Sequence, residues 1–167
     1  MQVALFRHGH KDFMPPEDPS LSARGFDQAK KLATLVANNQ LPKPTHCWAS
    51  DKIRTLQTLQ DVIKQTGSHS EQTKQLSIRS HQESGQQFRN RIQNFINEID
   101  RRAENTQHKN EIHYICTHYD WIEEAMSLIV CDKDLNSYEF SSWAPAQYLI
   151  FELYDGCWHL TQKGAVT

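Results

Sequence analysis

The sequence predicts an α/β fold, a three-layer sandwich with a mostly parallel central sheet and helices on both faces. Three observations predict it. Short apolar runs alternate with amphipathic stretches of helical period, the order expected of strand–helix–strand units. The last two apolar runs instead flank Asp155-Gly156, which reads as the tight turn of a hairpin. The length, 167 residues, suits one domain over residues 1–167. A chain of that size buries roughly 70% of its unfolded surface.

Taken in order, Val3-Ala4-Leu5-Phe6 is an apolar run ending in Arg7-His8-Gly9, a buried strand leading into a loop. Residues 11–20 hold Pro15, Pro16 and Pro19 and read as a surface loop. Ser22 is a fitting N-cap for a helix carrying Phe26, Ala29, Leu32 and Val36, which ends at Asn38-Asn39. His46 to Ser50 predicts a second strand. Leu56, Leu59 and Ile63 mark a second helix, stopping near Gly67. Ser68 to Lys74 is polar and reads as a linker, with a short strand at Leu76 to Ile78. Phe88, Ile92, Phe95, Ile96 and Ile99 predict a long helix with a polar tail from Arg101 to Asn110. Ile112 to Cys116 is a further strand ending in Thr117-His118, and Trp121, Ala125, Met126 and Ile129 continue as helix. Gln147 to Leu153 and Trp158 to Leu160 form the hairpin.

Composition narrows the function. Hydrophobic residues make up 38% and charged residues 23%, which describes a soluble globular chain. The net charge of −2 argues against a general nucleic-acid partner, which calls for a basic excess. No apolar stretch approaches the ~18 residues of a membrane span. Cys47, Cys116, Cys131 and Cys157 form no C-x-x-C pair, so zinc-ribbon and thioredoxin readings fail. Buried free thiols and a start with no signal peptide point to the cytoplasm.

Ligands of such sheets bind beyond the carboxyl ends of the strands. Three strand ends here carry Arg7-His8, Ser50 leading to Arg54, and Thr117-His118. Singly, each is ordinary polar surface. Together they bring basic residues to one sheet edge. Arginine neutralises a phosphoryl dianion with a two-pronged grip. A neutral imidazole attacks phosphorus and forms a labile phosphoramidate. Arg7 and Arg54 suit the first task and His8 the second, with His118 as a further donor. Gly9 lets the backbone approach closely.

These residues sit in motifs that resemble the histidine phosphatase superfamily, also called the phosphoglycerate mutase-like family. Leu5-Phe6-Arg7-His8-Gly9 is similar to its Arg-His-Gly signature, and Leu21-Ser22-Ala23-Arg24-Gly25 to its Leu-Thr-x-x-Gly helix start. Ala49 to Thr58 resembles the Ser-x-x-x-Arg-Thr-x-Gln-Thr stretch, Glu83-Ser84 with Arg91 a Glu-Ser motif, and Cys116-Thr117-His118 the segment of the second histidine. The resemblance implies a phosphoglycerate mutase-like fold and a phosphatase with His8 as nucleophile. It implies that Arg7, Arg54 and His118 complete the pocket, that Gly9, Ser50, Thr117 and Tyr119 line it, and that no metal or cofactor is needed.

Within that family the short length and aromatic ending look most like the SixA-type phosphohistidine phosphatases. The insert in which larger relatives keep a glutamate acid is here only Gln65 to Arg79, with Glu71 as its one acid. Alkoxide leaving groups gain about 10²–10⁴-fold from a general acid. A phosphorylated imidazole leaves without one, once solvent protonates it. A phosphohistidine-bearing protein is therefore the expected partner. Glu83 and Asp120 are the candidate acids if one exists. His10 is a loop residue or a substrate contact. The alternatives are a small-molecule phosphomonoesterase or mutase-like enzyme, a metal-dependent hydrolase using His8 and His10 with His113, His118 and Asp120, and an inactive phosphate-binding module.

Overall fold

The computed structural model describes residues 1–167. Ten regular elements alternate along the chain: β1 (Gln2–Arg7), α1 (Ala23–Ala37), β2 (His46–Ser50), α2 (Ile53–Thr66), β3 (His69–Thr73), α3 (Gly85–Glu104), β4 (Ile112–Thr117), α4 (Tyr119–Met126), β5 (Gln147–Tyr154) and β6 (Cys157–Ala165). They build one six-stranded sheet in the order β3-β2-β4-β1-β5-β6. The first four strands run parallel, and β5 and β6 are antiparallel. The parallel strands put their carboxyl ends at one edge, so Arg7, Ser50 and Thr117 finish side by side.

Period-two alternation divides the core in two. Val3 and Leu5 of β1 pack with Trp48, Ile115 and the apolar stripes of α3 and α4. Ala4 and Phe6 face the other way, onto Leu32 and Val36 of α1 and Leu59 and Val62 of α2. In α3, Phe88, Ile92, Phe95, Ile96 and Ile99 recur at helical spacing and are all buried. Each contributes roughly 2 kcal/mol by leaving water. Phe95 meets Trp48 and Trp121 edge-on, at centroid distances of 5.7 and 6.0 Å. No helix is long and apolar enough to cross a membrane.

Local signals explain the element ends. The Ser22 hydroxyl accepts from the Gly25 amide and caps α1. Ser84 and Gln87 form a reciprocal capping box at α3. Gly67 closes α2 in the left-handed conformation. Asp155 and Gly156 turn the β5–β6 hairpin with φ of 53° and 69°, the twist that suits a two-residue connection.

One strand differs from expectation. His69–Thr73, expected within a linker, is β3, and Leu76 lies in a short 3₁₀ turn instead of a strand. The reason is that β3 is an edge strand whose side chains are mostly exposed. It therefore has no apolar alternation to betray it, and its place is set by backbone pairing to β2. Leu76, fully buried, is instead the anchor that returns the chain to the core. The helix α3 also runs on to Glu104, taking in Arg101 and Arg102 from the expected polar tail.

Candidate active site

The edge formed by the ends of β1, β2 and β4 holds His8, Arg54 and His118, all at least 95% buried, with Arg7 beside them. His8 follows β1 directly. Its amide donates to the Thr117 carbonyl at 3.0 Å, which locks the β1 and β4 ends together. Its ring Nδ1 lies 2.7 Å from the Gly9 carbonyl oxygen. A carbonyl only accepts, so Nδ1 carries the proton and Nε2 keeps its lone pair. That lone pair accepts from Arg54 Nε at 3.2 Å. Burial and the charges of Arg54 and Arg7 drive the His8 pKa down to about 3. His8 is therefore a neutral imidazole across the physiological range, its one unprotonated nitrogen turned to Arg54.

The tautomer of His118 follows from a chain of hydroxyls. Thr55 Oγ1 donates to the Lys52 carbonyl at 2.7 Å. It thus accepts from Ser50 Oγ at 3.1 Å. Ser50 Oγ in turn accepts from His118 Nε2 at 2.8 Å. His118 Nδ1 is left as an acceptor for Arg54 Nη2 at 3.2 Å. Ser50, expected to line the phosphate pocket, is fully buried and orients His118. Burial, with Arg54 and His8 adding to it, lowers the His118 pKa to about 2.

Arg54 joins the two histidines, and Asp18 in the 11–20 loop receives its Nη1 at 3.4 Å. Arg7 donates to the Trp143 carbonyl. Its guanidinium lies over the Tyr119 ring, 5.4 Å from the centroid. Its buried Nε has no acceptor. Burial lowers the pKa of both arginines from the ordinary value, yet arginine stays charged. Two guanidinium charges thus stand beside His8 and His118, an arrangement suited to a tetrahedral oxyanion.

Gly9 serves the site through its backbone, its amide donating to Thr58 Oγ1 at 2.9 Å. Thr117 is engaged elsewhere, its hydroxyl donating to the Leu76 carbonyl at 2.6 Å. Arg91 holds both oxygens of Glu83 at 2.8 Å. That pairing depresses the Glu83 pKa. The same guanidinium also donates to the carbonyls of Lys74, Gln75, Ser77 and Ile78, so Glu83 and Arg91 pin the segment before α3. Asp120 accepts from the amides of Arg79 and Trp121 at 2.9 Å.

Of the ligands of the metal-hydrolase alternative, His8 and His118 come together, with ring centroids 5.2 Å apart, whereas His10 and His113 are engaged elsewhere. His10 turns its Nδ1 to Ser22 Oγ at 2.8 Å. His113 lies near the amino end of β4, at the opposite end of the sheet from His118. There His113, His46 and Glu111 gather closely. Trp48 Nε1 donates to His113 Nδ1 at 2.9 Å, so His113 Nε2 carries a proton and donates it to Glu111 at 2.8 Å. That nitrogen offers no lone pair to a cation.

Asp18 and Gln28 escaped sequence reasoning, and Thr58 entered it only as the end of a motif. Gln28 and Thr58 were detectable in principle, as polar residues on the buried faces of α1 and α2. Gln28 accepts from the His10 amide and donates to the Pro145 and Val166 carbonyls, tying three loops together. Gly25 is a steric requirement of the same contact. A Cβ there would lie 2.0 Å from the His10 carbonyl oxygen.

Residues 3–77 match the family model of the histidine phosphatase superfamily (branch 1). Over nearly its whole length the chain shares the fold of solved phosphatases. One is the protein histidine phosphatase SixA complexed with tungstate, at a TM-score of 0.73 and 14% identity, covering 99% of this chain and 97% of that one. A second is a mycobacterial glucosyl-3-phosphoglycerate phosphatase complexed with VO3, at a TM-score of 0.70 and 16% identity, covering 96% of each chain. A third is a phosphoserine phosphatase from Entamoeba histolytica, in complex with 3-phosphoglyceric acid, at a TM-score of 0.66 and 16% identity, covering 98% and 96%. No curated protein matches the sequence.

Proposed function

We propose that this chain is a phosphatase that works through a phosphohistidine on His8 and acts on protein-borne phosphohistidine. The observation that carries the reading is the His8 imidazole, neutral, with Nδ1–H held by Gly9 and its Nε2 lone pair beside Arg54. Nε2 attacks phosphorus in line, the bond from phosphorus to the leaving atom breaks, and that atom takes a proton from solvent. Arg7 and Arg54 neutralise the charge that develops on the three equatorial oxygens, and His118, accepting from Arg54 Nη2, holds that guanidinium in place. Water then attacks the same phosphorus, the Nε2–P bond breaks, and orthophosphate departs. The binding of tungstate and VO3 by two proteins of this fold agrees with a tetrahedral or trigonal oxyanion in this recess.

The substrate preference rests on what surrounds the four residues. Arg91 holds both oxygens of Glu83, and Asp120 accepts from two backbone amides, which argues against either as a dedicated acid for an alkoxide leaving group. Phosphohistidine leaves as a neutral imidazole after protonation and does not need one. The 11–20 loop, which brings Asp18 to Arg54, also carries Phe13 and Met14, 79% and 70% exposed and open to a protein surface. Four unpaired cysteines fit a reducing cytoplasm. The test is a panel of phosphohistidine protein, 3-phosphoglycerate, sugar phosphates and p-nitrophenyl phosphate. Phosphohistidine protein should be turned over fastest and His8→Ala should abolish all turnover. Brisk sugar-phosphate hydrolysis with an inert phosphohistidine protein would replace this reading with a phosphomonoesterase.

A further inference from the structure

We infer that Asp18 is a positioning residue that holds Arg54 in the free site and limits how tightly the pocket retains a phosphate dianion. The inference rests on the phosphate-pocket reading above. Asp18 belongs to the 11–20 loop, whose two ends are clamped by backbone pairing of Asp12 with Ser20 and of Lys11 with Leu21. Its carboxylate is directed to two places at once. Both oxygens lie 3.2 Å from the Ile53 amide, the first of α2, and one lies 3.4 Å from Arg54 Nη1.

The helix explains why the carboxylate sits there. Lys52, the N-cap of α2, makes no side-chain cap bond. The amino terminus of α2 therefore lacks an acceptor of its own, and it attracts negative charge. Asp18 supplies the cap from a distant loop. Arg54 is the next residue along, so the cap brings a fixed negative charge against the guanidinium that faces His8 and His118.

Arg54 thus has three partners in the free site: His8 through Nε, His118 through Nη2 and Asp18 through Nη1. A phosphoryl dianion entering between the histidines meets a guanidinium already partly neutralised from its outer side. Asp18 and the dianion repel each other across one guanidinium's width. Transfer gains from an Arg54 held in place. Release of orthophosphate gains from the repulsion.

Asp18→Asn separates the two parts, since the amide oxygen still accepts from the Ile53 amide while the charge is gone. The wild type and Asp18→Asn are titrated with inorganic phosphate and with tungstate by calorimetry. Phosphate inhibition of turnover is measured in parallel. Asp18→Asn should bind phosphate about tenfold tighter at low ionic strength, the effect of one partly screened charge at this range. The gain should shrink in ~1 M salt, where the screening length is about 3 Å. Asp18→Ala, which removes charge and cap together, should still show a gain, and thermal melting of both variants checks that they fold. Unchanged or weaker phosphate binding in the folded variants overturns the inference alone. A wild type that binds neither anion overturns the phosphate pocket and this inference with it.

Discussion

Lowering the pH from 7 to 5 should strip this protein of several kcal/mol of stability through three buried histidines. His8, His113 and His118 are at most 5% exposed, and burial is the largest cause of each lowered pKa. The folded values are about 3, about 4 and about 2 respectively. In the unfolded chain each returns to about 6.5. Below that value the unfolded state binds more protons than the folded state, so stability falls as pH falls. The loss begins near 6.5 and continues down to each folded pKa. At pH 5 the chain is about 1.5 units below the unfolded value, which costs about 2 kcal/mol per histidine and roughly 6 kcal/mol for the three. That is comparable to the whole stability of an ordinary domain, ~5–15 kcal/mol. Urea unfolding followed by tryptophan fluorescence at pH 7 and pH 5 measures it, and Trp48, bonded to His113, reports directly on one of the three. Equal unfolding free energies at the two pH values would refute the argument. His118→Asn should remove about a third of the pH dependence.

Three further outcomes follow from the contacts. Arg54→Lys should lower kcat/KM about 10²–10³-fold, because one ammonium cannot hold His8, His118 and an incoming oxyanion with a planar fork, and steady-state kinetics would show it. Gly25→Ala puts a methyl against the His10 carbonyl, and should lose about 3 kcal/mol, a Tm drop of roughly 6–12 °C by calorimetry. Glu83→Gln should lower stability by about 1–3 kcal/mol through the weakened Arg91 clamp while leaving the pH–rate profile in place; loss of an acidic limb would instead make Glu83 the general acid.

Much of the fold was legible, and the reason differs by element. The helices α1, α2 and α3 declared themselves because each buries a stripe of apolar residues at helical spacing. The hairpin declared itself through a dipeptide that tolerates positive φ. The strand β3 did not, because an exposed edge strand is held by backbone bonds that no side chain advertises. Within the site, Glu83 shows the limit of motif reading. Its motif matched, but the guanidinium of Arg91 captured both oxygens.

By itself the amino-acid order determined which groups reach the sheet edge. His8, Arg54 and His118 stand at or just beyond strand ends, and parallel strands bring such ends together whatever the loops do. Only the tertiary structure decided their proton positions and their partners. The Gly9 carbonyl, the hydroxyl chain through Ser50 and Thr55, and the Asp18 cap on α2 all join residues from separate segments or depend on backbone conformation. Sequence spacing carries residue type and face. Hydrogen-bond direction depends on angles and distances within a few tenths of an ångström, and these exist only once the chain is packed.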